Sequence, residues 1–410
     1  MRSSRLLPAI TAVLLALPVI ADAGEAPATP TAAPPWQFEW NARLRQESVD
    51  DDAFARDASA TTLRLRAGLR LHWAGSFSAL IEGEGIAAAG DNYNSGANGE
   101  VERPAITDPE GAELNRAFIA WKGTIAGATL GRQRLLFDNQ RWIGNSGWRQ
   151  NEQTFDALSA DWQVSPALAL RYAWLGRVHR VNGDQALDPL ARERDLSTHL
   201  FNLGWKHGAQ QWVGYAYLHD DNDVASASTA TFGARWTGAR LRDGNGFGWT
   251  LEAAHQDDYA DNPLSFSHAY WLFEPTYAFH GVTYRAGWEH LGGNGVHALQ
   301  TPLATLHAFN GWADKFTTTP AGGLEDRYLG AGGKFGRAAI GKYSWAVSWH
   351  DYRADTGTAG LDSHYGSEWD ASLGFPVHGP VNGLVKLADY RADGFARDTR
   401  KLWLQLEWAQ

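Results

Sequence analysis

Apolar and polar residues alternate with a period of two along most of the chain. In TTLRLRAGLRLH (61–72), Leu63, Leu65, Ala67, Leu69 and Leu71 fall on one side and Arg64, Arg66, Gly68, Arg70 and His72 on the other. WQFEWNARLRQ (36–46) divides the same way, with Trp36, Phe38, Trp40, Ala42 and Leu44 against Gln37, Glu39, Asn41, Arg43 and Arg45. LALRYAWLGRVH (168–179) and KLWLQLEW (401–408) repeat the pattern. This is the period of a β-strand with unlike faces. Strands are expected at 36–47, 61–72, 76–85, 113–122, 126–133, 154–163, 168–179, 197–206 and 210–219. They continue at 228–237, 247–256, 267–277, 282–291, 325–335, 342–352, 364–375, 382–390 and 399–409, about 18 in all.

One alternating strand also suits a soluble sandwich. The connections separate the two cases. The first, third and later odd-numbered gaps are mostly long (48–60, 86–112, 134–153, 180–196, 292–324). The even-numbered ones are mostly tight (73–75, 123–125, 164–167, 207–209, 278–281), with 238–246 the longest of them. A chain with two unlike ends and an even strand number has the organisation of an outer-membrane barrel, with short periplasmic turns and long outer loops. A propeller would repeat every 40–50 residues or so, and no such repeat is present.

Composition agrees. The chain has 44 Gly, 20 Trp, 17 Phe and 13 Tyr, yet its mean hydropathy is −0.37. Many aromatics at low mean hydropathy fit an apolar outer face, a polar lumen and aromatic girdles. Trp73, Trp121, Trp205, Trp236 and Trp249, at strand ends, are expected in the girdles rather than on a sugar-stacking slide. The expected fold is therefore all-β: a transmembrane antiparallel β-barrel of about 18 strands, wide enough to enclose a water-filled lumen.

The N-terminus MRSSRLLPAITAVLLALPVIADAGEA has a basic n-region (Arg2, Arg5), an apolar stretch from Leu6 to Ile20 and the small-x-small site Ala21-Asp22-Ala23. The apolar stretch is shorter than the roughly 20 residues of a spanning helix. It reads as a secretory signal peptide over 1–23, cut after Ala23. A Pro/Ala-rich leader follows over 24–35, and the barrel occupies 36–410. There is no cysteine, and the net charge is −10, which argues against nucleic acid as a partner. The final strand carries Trp408 near the end of the chain; an aromatic there is what the outer-membrane assembly machinery reads.

Against this acidic background, GRQRLLFDNQRWIGNSGWRQNEQTFDAL (131–158) gathers Arg132, Arg134, Arg141 and Arg149 among Trp, Asn and Gln. The segment resembles the alginate-export family of outer-membrane porins, in which a G-R-Q strand end leads through an Arg/Trp loop to a T-F-D strand start. TPLATLHAFNGWADKFTTTPAGGLEDRYLGAGGKFG (301–336) and ELNRAFIAWKG (113–123) are similar to further segments of that family. The resemblance implies a narrowed, positively charged pore that passes an anionic uronate polymer such as alginate. It makes Arg132, Arg134, Arg141 and Arg149, with Asp138 and Asp156 among them, candidate pore-lining residues. Arginine suits the task because its planar fork holds carboxylates bidentately, and several weak sites conduct better than one tight site. The loop is expected to cover the mouth or to fold into the lumen.

Arg43, Arg45, Arg64, Arg66 and Arg70 form a second set, opposite the apolar face of two neighbouring strands. They read either as a basic ladder attracting anions or as ordinary lumen ion pairing, for example with Glu82 and Glu84. The family's exporter plugs its pore with a long periplasmic turn late in the barrel. Here the corresponding turns, GRAAIG (336–341) and PVHGPV (376–381), are short. Polymer export and constitutive passage of small acidic sugars or other anions thus both stay open.

No HExxH or G-x-S-x-G is present, and HDDNDV (219–224) lacks the spacing of an EF-hand loop. No catalytic residues, metal or cofactor are expected, so a surface enzyme or adhesin on a barrel scaffold is the minor alternative. The expected partners are outer-membrane lipid, the anionic solute and the assembly machinery, with periplasmic export partners possible in principle.

Overall fold

A computed structural model describes residues 34–337, 341–356 and 363–409. The segment read as a signal peptide (1–23) and most of the segment read as a leader lie outside the described residues. The described chain forms 18 strands, β1 (Trp36–Asp51), β2 (Ala58–Trp73), β3 (Phe77–Ala88), β4 (Gly111–Lys122), β5 (Ala126–Gln133), β6 (Thr154–Gln163), β7 (Leu168–His179), β8 (Glu193–His207) and β9 (Gln210–His219). They continue as β10 (Thr229–Arg242), β11 (Asn245–Asp258), β12 (Ser267–Phe279), β13 (Val282–Leu291), β14 (Leu324–Arg337), β15 (Gly341–Arg353), β16 (His364–His378), β17 (Val381–Ala392) and β18 (Thr399–Ala409). Every strand read from the sequence is present.

Each strand pairs antiparallel with its sequence neighbours, and β1 also pairs with β18, Leu44 opposite Leu406, which closes the sheet. Closure satisfies every strand's ladder internally, the condition for a sheet in hydrocarbon. Faces follow the alternation. Leu63 and Leu65 are about half exposed while Arg64 and Arg66, which alternate with them, are buried. The apolar face therefore points outward to lipid and the polar face inward.

One connection departs from expectation. The segment 238–246 is not the longest tight turn, because β10 and β11 run on through it and leave Asp243-Gly244 between them. Both residues have positive φ, 53° and 75°, the conformation of the two-residue hairpin that Asp-Gly favours. At the same end of the barrel, outward-facing Trp205, Trp212 and Trp236 stack in series at 4.6 and 6.1 Å, and Trp249 meets Trp236 edge-on at 5.4 Å. That is a continuous girdle segment, and Trp73 and Trp121 also lie exposed at the short-turn end.

Candidate functional site

Two long connections, the arginine-rich 134–153 and the aromatic-bearing 292–323, fold into the barrel and pack on each other. Thr305 N–H donates to the Gln140 carbonyl at 3.1 Å, Gly144 N–H to Leu303 O at 2.9 Å, and Gln153 Nε2 to Leu303 O at 3.0 Å. Phe137, Trp142 and Ile143 of the first loop and Leu299, Leu303 and Phe316 of the second join a buried cluster with inward Tyr215, Tyr270, Tyr352 and Trp403 of the wall. These apolar residues are what draw the loops inward; burying an aromatic side chain there is worth about 1.5–3 kcal/mol. At the turn of the second loop Gly311 has φ 83° and lies under the Tyr352 hydroxyl and the Glu368 carboxylate, where a Cβ would collide.

Wall arginines grip the first loop. Arg43 Nη1 donates to the carbonyls of Gly147, Trp148 and Arg149 at 3.1, 3.1 and 3.2 Å. Arg45 donates to Trp148 O at 2.6 Å and lies over its ring at 4.2 Å. Arg64 and Arg66 reach the Gln150 carbonyl at 3.4 and 3.1 Å. The same side chains are neutralised by acids: Arg43 and Arg64 by Glu407, Arg45 by Asp108, Arg66 by Glu84 and Glu152. Of the two readings of this set, ion pairing describes Arg43, Arg45, Arg64 and Arg66, all buried. Their partners include the predicted Glu84, and an unforeseen one, the loop backbone.

Within the loop, Arg141 is buried, with bonds to Glu289 (2.7 Å), Thr301 Oγ1 (3.2 Å) and Asn310 (3.2 Å). Arg149 joins Glu47 and Asp314 at 3.3 and 3.0 Å. Asp138, with φ 52°, accepts from Asn202 at 2.8 Å, and burial raises its carboxyl above the usual range. These three tie the loop to the wall and to the second loop.

Arg132 and Asp156 are corrected. They face each other in the β5–β6 register, two residues from exposed Leu130 and Leu158, and alternation puts all four on the outer face. The 3.0 Å Arg132–Asp156 pair continues outside the wall through His179 to Glu193. Poor alternation in ATLGRQ hid this direction.

Beside the buried arginines runs a chain of guanidinium and carboxylate groups in which Arg70 and Arg134 stay partly open while Glu82 and Glu152 are buried. Arg70 pairs with Glu39 at 2.6 Å; Arg116 bridges Glu39 (3.8 Å) and Glu82 (2.6 Å); Arg134 bridges Glu82 (3.8 Å) and Glu152 (2.6 Å from its Nε). The side chains of Arg70 and Arg134 keep 21% and 28% of their exposure. Arg171, which donates to Asp161 at 2.8 Å and lies 5.3 Å from the Phe137 ring, keeps 42%. Arg116 and Arg171 were not singled out from the sequence, although both sit on the polar face of alternating strands. In the loop, burial would raise Glu152, but Arg134 and Arg66 outweigh it and hold the carboxyl well below the usual range.

A third cluster joins both loops to the wall. His307 stacks on Trp148 at 4.7 Å, donates from Nδ1 to Asp314 at 2.6 Å, and accepts at Nε2 from Lys386 Nζ at 2.6 Å. Asp314 also takes Lys401 at 2.8 Å.

A closed, lipid-faced barrel narrowed by inward loops is an outer-membrane channel. Solved barrels of Pseudomonas aeruginosa are similar to it. OccK9 (OpdG) matches with a TM-score of 0.73 at 14% identity, over 91% of this chain and 98% of that one. The outer membrane protein OpdK matches at 0.69 and 15%, over 91% and 99%, and OpdO at 0.69 and 13%, over 92% and 97%. No curated protein sequence matches the chain. The alginate export family model matches residues 35–262. The chain belongs to the alginate export family, and its place is the bacterial outer membrane.

Proposed function

We propose that this channel passes anionic saccharides, with a uronate polymer such as alginate as the largest candidate solute, and does so as a passive conduit rather than an enzyme. The observation that carries the reading is the chain Glu39–Arg70/Arg116–Glu82–Arg134–Glu152, whose Arg70 and Arg134 stay partly open, with Arg171 further round the same side of the wall. Each guanidinium there already holds a carboxylate in a geometry that a uronate carboxylate can copy. Because the resident acids stay beside the arginines, a passing carboxylate exchanges with them and does not stick. Graded, weak, repeated sites of this kind favour conduction.

The short turn at 379–380 favours a second reading within the same class, constitutive passage of small acidic sugars. Flux through the purified protein in liposomes separates the readings. Galacturonate is expected to enter faster than galactose. Entry of oligouronates as well supports polymer passage, whereas entry of the monomer alone supports the small-anion porin. Equal rates for galacturonate and galactose would overturn both.

A further inference from the structure

On the outer rim, away from the lumen, His290 of β13 stands directly opposite Glu325 of β14, and Asp355 reaches them from the connection after β15. One nitrogen of His290 and one carboxylate oxygen each from Glu325 and Asp355 lie within 4.8 Å of one another. The imidazole is fixed by stacking on Trp271, 5.3 Å between centroids and 9° from parallel. Its Nδ1 is buried, has no hydrogen-bond partner, and sits 3.8 Å from Asp355 Oδ1. That gap is too long for a hydrogen bond. It is within the span of about 4 Å that one ion held about 2.0–2.2 Å from each of two ligands can bridge, and a slight closing gives tetrahedral spacing.

Both carboxylates are oriented by a second bond. Arg327 Nη2 donates to Glu325 Oε2 at 2.7 Å, leaving Oε1, and Gly293 N–H donates to Asp355 Oδ2 at 3.1 Å, leaving Oδ1. Outer-shell partners of this kind are what hold metal ligands in place. Arg327 itself leans over Trp288 at 4.9 Å, and Arg353 of β15, which stands opposite Glu325 in the register, is turned to Asp351 at 2.8 Å.

We propose that His290, Glu325 and Asp355 form a divalent-cation site of the zinc class, one imidazole and two carboxylates with a coordination position left for water or solvent ligands. The site sits at the base of the longer inward loop. Beside Asp355, Thr356 donates from Oγ1 to Gly293 O at 2.9 Å and from its backbone N–H to Gly322 O at 2.8 Å, so the 355–356 segment clasps both ends of residues 292–323. An ion held by Asp355 and two wall strands staples that base to the barrel.

The test is calorimetric titration of zinc chloride into the detergent-solubilised full chain carrying no affinity tag. One zinc per chain is expected, with a rise in the thermal transition. His290→Ala and, separately, Asp355→Asn should abolish binding and leave the zinc-free transition close to that of the parent. His255→Ala, which removes an exposed histidine outside the trio, should bind as the parent does. An absence of zinc binding by the parent, or binding unchanged in His290→Ala, overturns the site.

Discussion

Arg134 and Arg141 belong to one loop, seven positions apart, yet the barrel uses them oppositely. Arg141, at the inward tip, is buried on Glu289, Thr301 and Asn310 and fastens one loop to the other. Arg134, at the foot, pairs with Glu152 and Glu82 but keeps more than a quarter of its surface. The same chemical group is a rivet where its partners enclose it on all sides and a contact for solute where one side stays open. The wall repeats the lesson on β2, where Arg64 is enclosed by Gln150 and Glu407 and Arg70 stays partly open on Glu39.

The contrast can be broken most severely at the tip. Arg141→Ala strands the Glu289 carboxylate in a buried site, and a broken buried pair costs about 3–5 kcal/mol. The expected outcome is a loosened loop, read as faster amide exchange over 137–145 and 299–310 and as larger, noisier single-channel current. Next comes Arg134→Glu, which should leave exchange at the tip unchanged while shifting ion preference toward cations. Arg70→Ala should have the smallest thermal effect of the three, below about 1 kcal/mol for a partly exposed pair, and still slow galacturonate flux measurably.

Acidity should act on the joint between the loops before it acts on the foot. Burial, aided by the Lys386 ammonium, holds His307 well below its ordinary value of 6.5 against the pull of Asp314. The unfolded loop therefore binds the proton more readily than the packed one, and stability present above pH 6.5 is lost as the pH falls below it. Glu152, held below its ordinary 4.5, keeps its contribution until the pH drops past that value. Amide protection over 303–316, taken relative to the intrinsic exchange rate at each pH, should thus fall between pH 7 and 5, with the foot at 150–153 following only in stronger acid. The reverse order would contradict the assigned roles of the two groups.

The barrel was legible because its signal is local. Alternation names the face of each residue, Asp243-Gly244 marks a hairpin even though spacing first suggested a longer turn, and unlike gap lengths distinguish the two ends. The inward packing was legible only in part. The arginine-rich stretch announced a functional loop, but Arg141 meets Glu289 across 148 positions and Arg43 meets the carbonyls of 147–149 across more than a hundred. No periodicity carries such contacts. For the same reason the outward turn of Arg132 and Asp156, the His307–Lys386 joint and the rim trio of His290, Glu325 and Asp355 emerge only when the sheet closes and sets distant strands side by side.

The central claim is that the open arginines, not the buried ones, set what passes. Its most direct test is the reversal potential in a planar bilayer under a KCl gradient, for the parent, Arg134→Glu and Arg70→Glu. An anion-preferring parent, with the preference weakened in each variant, is the predicted result. A cation-preferring parent, or a preference that neither substitution moves, would contradict the account.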